Sequence, residues 1–268
     1  MDVTSADGTT IAFDRSGEGP AVILVQGGFS DRSHPIWTGM ADALAPAGFT
    51  VYNYDRRGRG GSGDTQPYAV EREIEDLEAI IKHAGGEAMV FGGSSGGALA
   101  LEAAAHGLAI TKLAVYEPPY IVDESRAPVP QDFEAQLASL ISEGRRGDVV
   151  ARFMTEAAEV PAEMVDQMRQ SPYWEGMEAV AHTLVYEAAV VGPGNQLPAE
   201  RLSGVDTPTL VLTGENSAPW MGKAGAAVAD KLSNGEHRIL EGQAHDASPE
   251  VLAPAVAEFF KARSTTQG

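Results

Sequence analysis

The sequence predicts an α/β protein: a mostly parallel central sheet with helices on both faces and a helical lid inserted between two of its strands. Three observations predict it. Short, nearly all-apolar runs recur along the first half, as expected of strands covered on both faces. Helical patterns separate these runs at a spacing suited to parallel crossovers. From about residue 121 to 201 the strand-like runs stop, and prolines punctuate a series of helix-length patterns.

Taken in order, Thr9–Phe13 alternates and is followed by Ser16-Gly17-Glu18-Gly19-Pro20, a strand and then a turn. Ala21–Gln26 is a buried strand, and Phe49–Tyr54 and Ala88–Phe91 repeat its pattern. Glu71–His83 carries Ile74, Leu77, Ile80 and Ile81 at helical spacing, with an acidic face of Glu71, Glu73, Glu75, Asp76 and Glu78 expected to face solvent. Leu99–His106 and its flanks form an alanine-rich helix, and Lys112–Tyr116 is a further buried strand. After the interruption, which holds Phe133, Phe153, Tyr173, Trp174 and Tyr186, the sheet rhythm resumes at Pro208–Thr213 and His237–Leu240 and ends in a helix around Pro249–Lys261. The core is thus assigned to residues 1–120 and 201–268, and the helical lid to 121–200. No internal repeat occurs, and no low-complexity tail beyond Ser264–Gly268.

Composition narrows the function. The 19 Lys and Arg against 38 Asp and Glu give a formal charge of −19, a field that repels nucleic-acid backbones and anionic lipid surfaces. With 43 % hydrophobic residues a real core is available. No run approaches the roughly 20 apolar residues of a membrane span. The amino terminus has neither a basic start nor an apolar segment, so no secretory leader is expected and the chain reads as cytoplasmic. Without cysteine there is no disulfide, thiolate metal site or cysteine nucleophile, and no H-x-x-x-H pair suggests a metal. Neither a cofactor nor a nucleic-acid or membrane partner is expected.

The chemistry concentrates where Ala88–Phe91 runs through Gly92-Gly93-Ser94-Ser95-Gly96-Gly97 into a helix. Strand, G-x-S-x-G and helix make a nucleophile elbow, in which glycines permit a sharp turn that exposes a serine hydroxyl at the helix start. Two registers fit. Ser94 is preferred because it stands nearer the strand end and leaves the N–H of Ser95 free to bind an oxyanion. No lysine follows as in a phosphate-binding loop.

With Gln26-Gly27-Gly28-Phe29 after an apolar strand and Asp55-Arg56-Arg57-Gly58-Arg59-Gly60-Gly61-Ser62 after the next, the chain resembles the α/β-hydrolase superfamily over almost its whole length, its small lidded esterase-like members above all. The resemblance implies an oxyanion hole from the N–H groups of Gly28 and Ser95. It places the general base after the last strand, where His245 stands, since a serine hydroxyl needs a base to become a nucleophile. His34 and His182 remain candidate pocket residues. The acid departs from the usual pattern: Ser217 occupies its common place after the penultimate strand, with Glu215 nearby. Glu117, 23 residues beyond Ser94, occupies the alternative place after the strand that follows the nucleophile helix. Glu117, Glu215 and no acid at all stay open; Asp246 adjoins His245 and should point away. Asp55 and Arg56–Arg59 are expected to tie their loop to its neighbours, and Trp37, Tyr173, Trp174 and Trp220 to pack or to wall an apolar acyl pocket. The activity implied is cofactor-free cleavage of a small acyl substrate, an ester, lactone or thioester, with a lyase, cyclase or acyltransferase, or a ligand-binding protein without turnover, as alternatives.

Overall fold

In the computed structural model, which describes residues 1–262, eight strands form one sheet. The polar tail Ser264–Gly268 lies outside the described residues. The amino-terminal half runs β1 (Asp2–Thr4), β2 (Thr10–Ser16), β3 (Ala21–Val25), α1 (Pro35–Leu44), β4 (Thr50–Tyr54), α2 (Val70–His83), β5 (Ala88–Gly93), α3 (Ser95–Ala105) and β6 (Ile110–Tyr116). The carboxy-terminal elements are β7 (Thr209–Gly214), α10 (Pro219–Lys231), β8 (Gly235–Leu240) and α11 (Pro249–Lys261). Between β6 and β7 lie α4 (Phe133–Ser142), α5 (Arg146–Arg152), a π-helical turn (Phe153–Ala157), α6 (Ala162–Met168), α7 (Trp174–Ala179), α8 (Thr183–Val191), a 3₁₀ turn (Pro193–Asn195) and α9 (Ala199–Leu202).

The strand order is β1-β2-β4-β3-β5-β6-β7-β8. β1 and β2 enter antiparallel, and every pair from β4 to β8 is parallel. β3, β4, β5 and β6 sit inside the sheet and are buried on both faces, which is why their sequences are continuous apolar runs. Two apolar layers follow from the two faces. One packs Leu77, Ile80, Leu99, Leu101 and Val228 of α2, α3 and α10 against Ile23, Val90 and Val115. The other packs Met40, Leu44, Leu252, Val256 and Phe260 of α1 and α11 against Val22, Leu24, Phe91 and Leu210. The insertion has a third cluster of its own, including Phe133, Leu137, Val149, Val150, Trp174 and Leu184.

One expectation is overturned. Glu73 and Asp76 of α2 are 1 % exposed, not solvated. Positions 73, 76, 77 and 80 share a helix face, so these two acids ride on the apolar stripe and meet buried guanidinium groups there. Arg56 Nε donates to Glu73 at 2.7 Å, and Arg57 Nη2 donates to Asp76 at 2.7 Å. Unpaired, each buried charge would cost several kcal/mol of desolvation, roughly; paired and hydrogen-bonded, they pin the β4–α2 loop to α2. The loop-tying role expected of Arg56–Arg59 is what the hydrogen bonds show.

Candidate active site

The site assembles from the carboxy-terminal ends of the parallel strands, where folds of this architecture bind ligands. Ser94, between β5 and α3, has φ 55° and ψ −129°, a left-handed backbone that a side chain rarely adopts. Strain of this sort persists only where surroundings impose it. Here the Ser94 N–H donates to the Tyr116 carbonyl at 2.8 Å, and the Ser94 carbonyl accepts from Gly97 N–H at 2.9 Å. A Cβ on Gly92 would lie 2.5 Å from the Gly96 carbonyl oxygen, and one on Gly96 would lie 2.3 Å from that of Val25. Both flanking glycines of the Ser94 register are therefore sterically required. The positive φ falls on Ser94, while Ser95 is the first helical residue, so its N–H is one of the unpartnered donors of a helix start.

His245 lies in the loop between β8 and α11. Tyr116 donates its hydroxyl proton to the Ala244 carbonyl, and Asn216 N–H donates to Gln243 O at 2.8 Å, so the loop is fastened to both β6 and the segment after β7. His245 Nδ1 is 2.7 Å from Glu117 Oε2. Glu117 follows β6 with φ 48°, its N–H donates to Leu212 O at 3.0 Å, and its Oε1 accepts from Gly214 N–H at 2.8 Å. The Glu117 side chain is wholly buried, whereas that of His245 is 44 % exposed. A buried carboxylate on Nδ1 holds the proton there and leaves Nε2 as the basic nitrogen on the open side.

The other acids do not reach His245. Glu215 turns to solvent and accepts from Gly242 N–H at 2.9 Å, which removes it as the imidazole's carboxylate partner. The backbone direction after β7 decides this: Glu215 N–H pairs with Leu240 O and places the side chain on the outer side of the loop. Ser217 is half-buried, and among the described residues its shielded hydroxyl has no hydrogen-bond partner. His182 stands apart, between Asp64 at 3.6 Å and Arg146, and burial lowers its basicity. His34 caps α1 and lines a cavity.

Two cavities meet at Ser94. The larger, about 220 Å³, lies under the insertion and has Phe29, Phe133, Phe153, Val191, Trp220 and Met221 among its walls. The smaller, about 180 Å³, runs beside Trp37, Phe91 and Leu252. Gly28, Ser94 and His245 line both, and Ser95 lines the larger. Among the described residues no hydrogen bond joins Ser94 Oγ to His245; in sites of this kind that bond commonly tightens only with substrate in place. Trp220 and Trp37 are the wall aromatics foreseen from the sequence. Tyr173 is exposed, and Trp174 packs inside the insertion's own cluster instead. Sequence reasoning missed Glu187 of α8, among the described residues the one acidic side chain lining the larger cavity. Its carboxyl, pushed up by burial, is held below its ordinary range by the charges of Arg56 and Arg59, with the Ser95 hydroxyl adding to their effect.

Comparison with known proteins agrees with this architecture. A crystal structure of an alpha/beta hydrolase from Sphaerobacter thermophilus is 54 % identical, covers 97 % of this chain and 100 % of its own, and superposes with a TM-score of 0.90. A thermophilic esterase from Thermogutta terrifontis shares the fold at 23 % identity, 97 % coverage of both chains and a TM-score of 0.69. An "AB hydrolase superfamily protein" of Gibberella zeae is 36 % identical over 84 residues, 31 % of this chain and only 29 % of that longer relative. Among the described residues no helix is long and apolar enough to cross a membrane. The model of the alpha/beta hydrolase family matches residues 22–256, spanning the strands from β3 to β8, the elbow, the insertion and the His245 loop together, and the chain belongs to that family.

Proposed function

We propose that the protein is a cofactor-free serine hydrolase that cleaves a carboxylic ester, lactone or thioester through an acyl-enzyme. The observation that carries this reading is the pairing of buried Glu117 with His245 at 2.7 Å on the rim of the cavities that strained Ser94 also lines. Ser94 Oγ attacks the acyl carbonyl while His245 Nε2 takes its proton. Glu117 holds the imidazole's orientation and stabilises its cation. The N–H groups of Gly28 and Ser95 receive the oxyanion. His245 then returns the proton to the leaving oxygen or sulfur, and water, deprotonated by the same nitrogen, releases the acid and restores Ser94. The insertion acts as a lid: its Phe133 and Phe153 wall the larger cavity, suiting it to an apolar group of modest size on one side of the scissile bond.

A fluorophosphonate tests the reading. Intact-mass and peptide analysis should find the adduct on Ser94 in the wild type and none in Ser94→Ala. Hydrolysis of 4-nitrophenyl butyrate in H₂¹⁸O should place the label in butyrate. A wild type that neither labels nor turns over refutes the proposal, and an adduct on Ser95 refutes the register.

A further inference from the structure

Glu187 is buried beside the nucleophile, and no step above uses it. Its two oxygens accept from Arg56 Nη1 at 2.9 and 3.0 Å, and Oε1 also accepts from Arg59 Nη2. The same two guanidinium groups reach the loop after β3. Arg56 Nη1 donates to the Gln26 carbonyl at 3.0 Å, and Arg59 Nη1 donates to the Gly27 carbonyl at 2.7 Å and to that of Ser30 at 3.3 Å. On the far side Arg56 is forked onto Glu73 of α2 by two bonds of 2.7 Å, and Arg59 Nε donates to Thr183 Oγ1 of α8 at 3.1 Å. All four charged groups are buried, so each counter-charge is required.

The Gly27 carbonyl belongs to the same planar peptide as the Gly28 N–H, and in a trans peptide the two point in opposite directions. Fixing the carbonyl with Arg59 therefore fixes where the Gly28 N–H points. That peptide lies against the nucleophile: a Cβ on Gly27 would stand 3.0 Å from Ser94 Cβ. We infer that Glu187, acting through Arg59 and Arg56, is a positioning residue that lets the helical insertion set the direction of the Gly28 oxyanion donor. This rests on the serine-hydrolase reading and extends it: α8 roofs the larger cavity and also governs how well the site stabilises the transition state. Arg59 spans Glu187, Thr183 and the Gly27 carbonyl at once, a reach its planar fork permits and an ammonium does not.

The test is steady-state kinetics on 4-nitrophenyl butyrate with fluorophosphonate labelling in parallel. Losing one whole oxyanion donor costs about 10²–10³ in kcat, so a donor left in place but loosely aimed should cost about 10–30-fold in Glu187→Gln, with KM within about twofold. Glu187→Asp, which keeps the charge, should recover part of the loss. Arg59→Lys, which retains the cation but loses the span, should lower kcat in the same direction and keeps the proposal open to refutation should Glu187→Gln fail to fold. Asp76→Asn breaks an equally buried ion pair that touches neither the Gly27 nor the Gly28 peptide, and should leave kcat unchanged. The inference is overturned if Glu187→Gln or Arg59→Lys folds and keeps wild-type kcat, if the loss appears in KM instead, or if Asp76→Asn loses as much kcat as Glu187→Gln. In all of these the wild type still labels at Ser94. A wild type that neither labels nor turns over overturns the hydrolase reading, and this inference with it.

Discussion

Glu117 and Glu187 are both fully buried carboxylates near the same serine, and they are held in opposite ways. Glu117 has two partners, the Gly214 N–H and an imidazole that also lines the cavities. Glu187 is gripped by two guanidinium groups that are themselves buried. A carboxylate facing an imidazole can respond when that ring gains a proton, whereas one facing two permanent cations can only hold them still. The contrast teaches that burial alone does not separate a carboxylate that backs an imidazole from one that organises its surroundings; the partner does.

Charge removal sharpens the contrast. Glu117→Gln keeps the shape but loses the anion behind His245, and kcat should fall about 10⁴-fold, as in serine-protease triads, with KM little changed. A fall of tenfold or less, in steady-state assays of the folded variant, would put both carboxylates in the same class. Asp76→Asn supplies a third buried carboxylate, bound only for structure: leaving Arg57 with Asp7 as its remaining acidic partner should cost about 3 kcal/mol of stability, read from the urea midpoint. The smallest effect belongs to the rim of that same cluster. Partial burial pushes the Asp7 carboxyl up, but bonds from Thr9 and Arg57 bring it down to about 2. Because its folded value lies below the ordinary 3.8, Asp7 contributes stability above that pH and loses it as pH falls towards 2. A position near the protein surface limits this to about 1 kcal/mol, and Asp7→Asn should flatten thermal stability across that window.

Much of this was legible in the residues. The strands β3 to β7 announce themselves as apolar runs, because a sheet covered on both faces leaves no polar side to alternate; the edge strand β8 is mostly polar and exposed. The elbow was legible because only glycine tolerates the contacts at positions 92 and 96, whereas Glu117 came only from the family resemblance, as one of two carboxylates left open. Other features carried no such mark. β1, at three residues, is too short for a period to show. α10 contains Gly222 and Gly225 and reads as a poor helix, yet a Cβ on Gly225 would strike Thr213 and His237, so close packing on β7 and β8 demands the glycine. Glu73 and Asp76 look like half of a solvated face until the buried arginines that need them are known. Glu187 sits alone in the apolar helix α8, and its partners are about 130 residues away in sequence. Long-range charge pairing leaves no periodic trace.

The reach of Glu117 across to His245 has a consequence for the neighbouring segment. In the proposed mechanism the carboxylate comes from β6, so the turn leaving β7 takes no part in proton transfer, and it leads within a few residues to Trp220 and Met221 on the cavity wall. Substitutions there can reshape what fits beside the serine without disturbing the imidazole. On that proposal, selectivity and reactivity are housed on adjacent but separate stretches of chain, free to diverge at different rates.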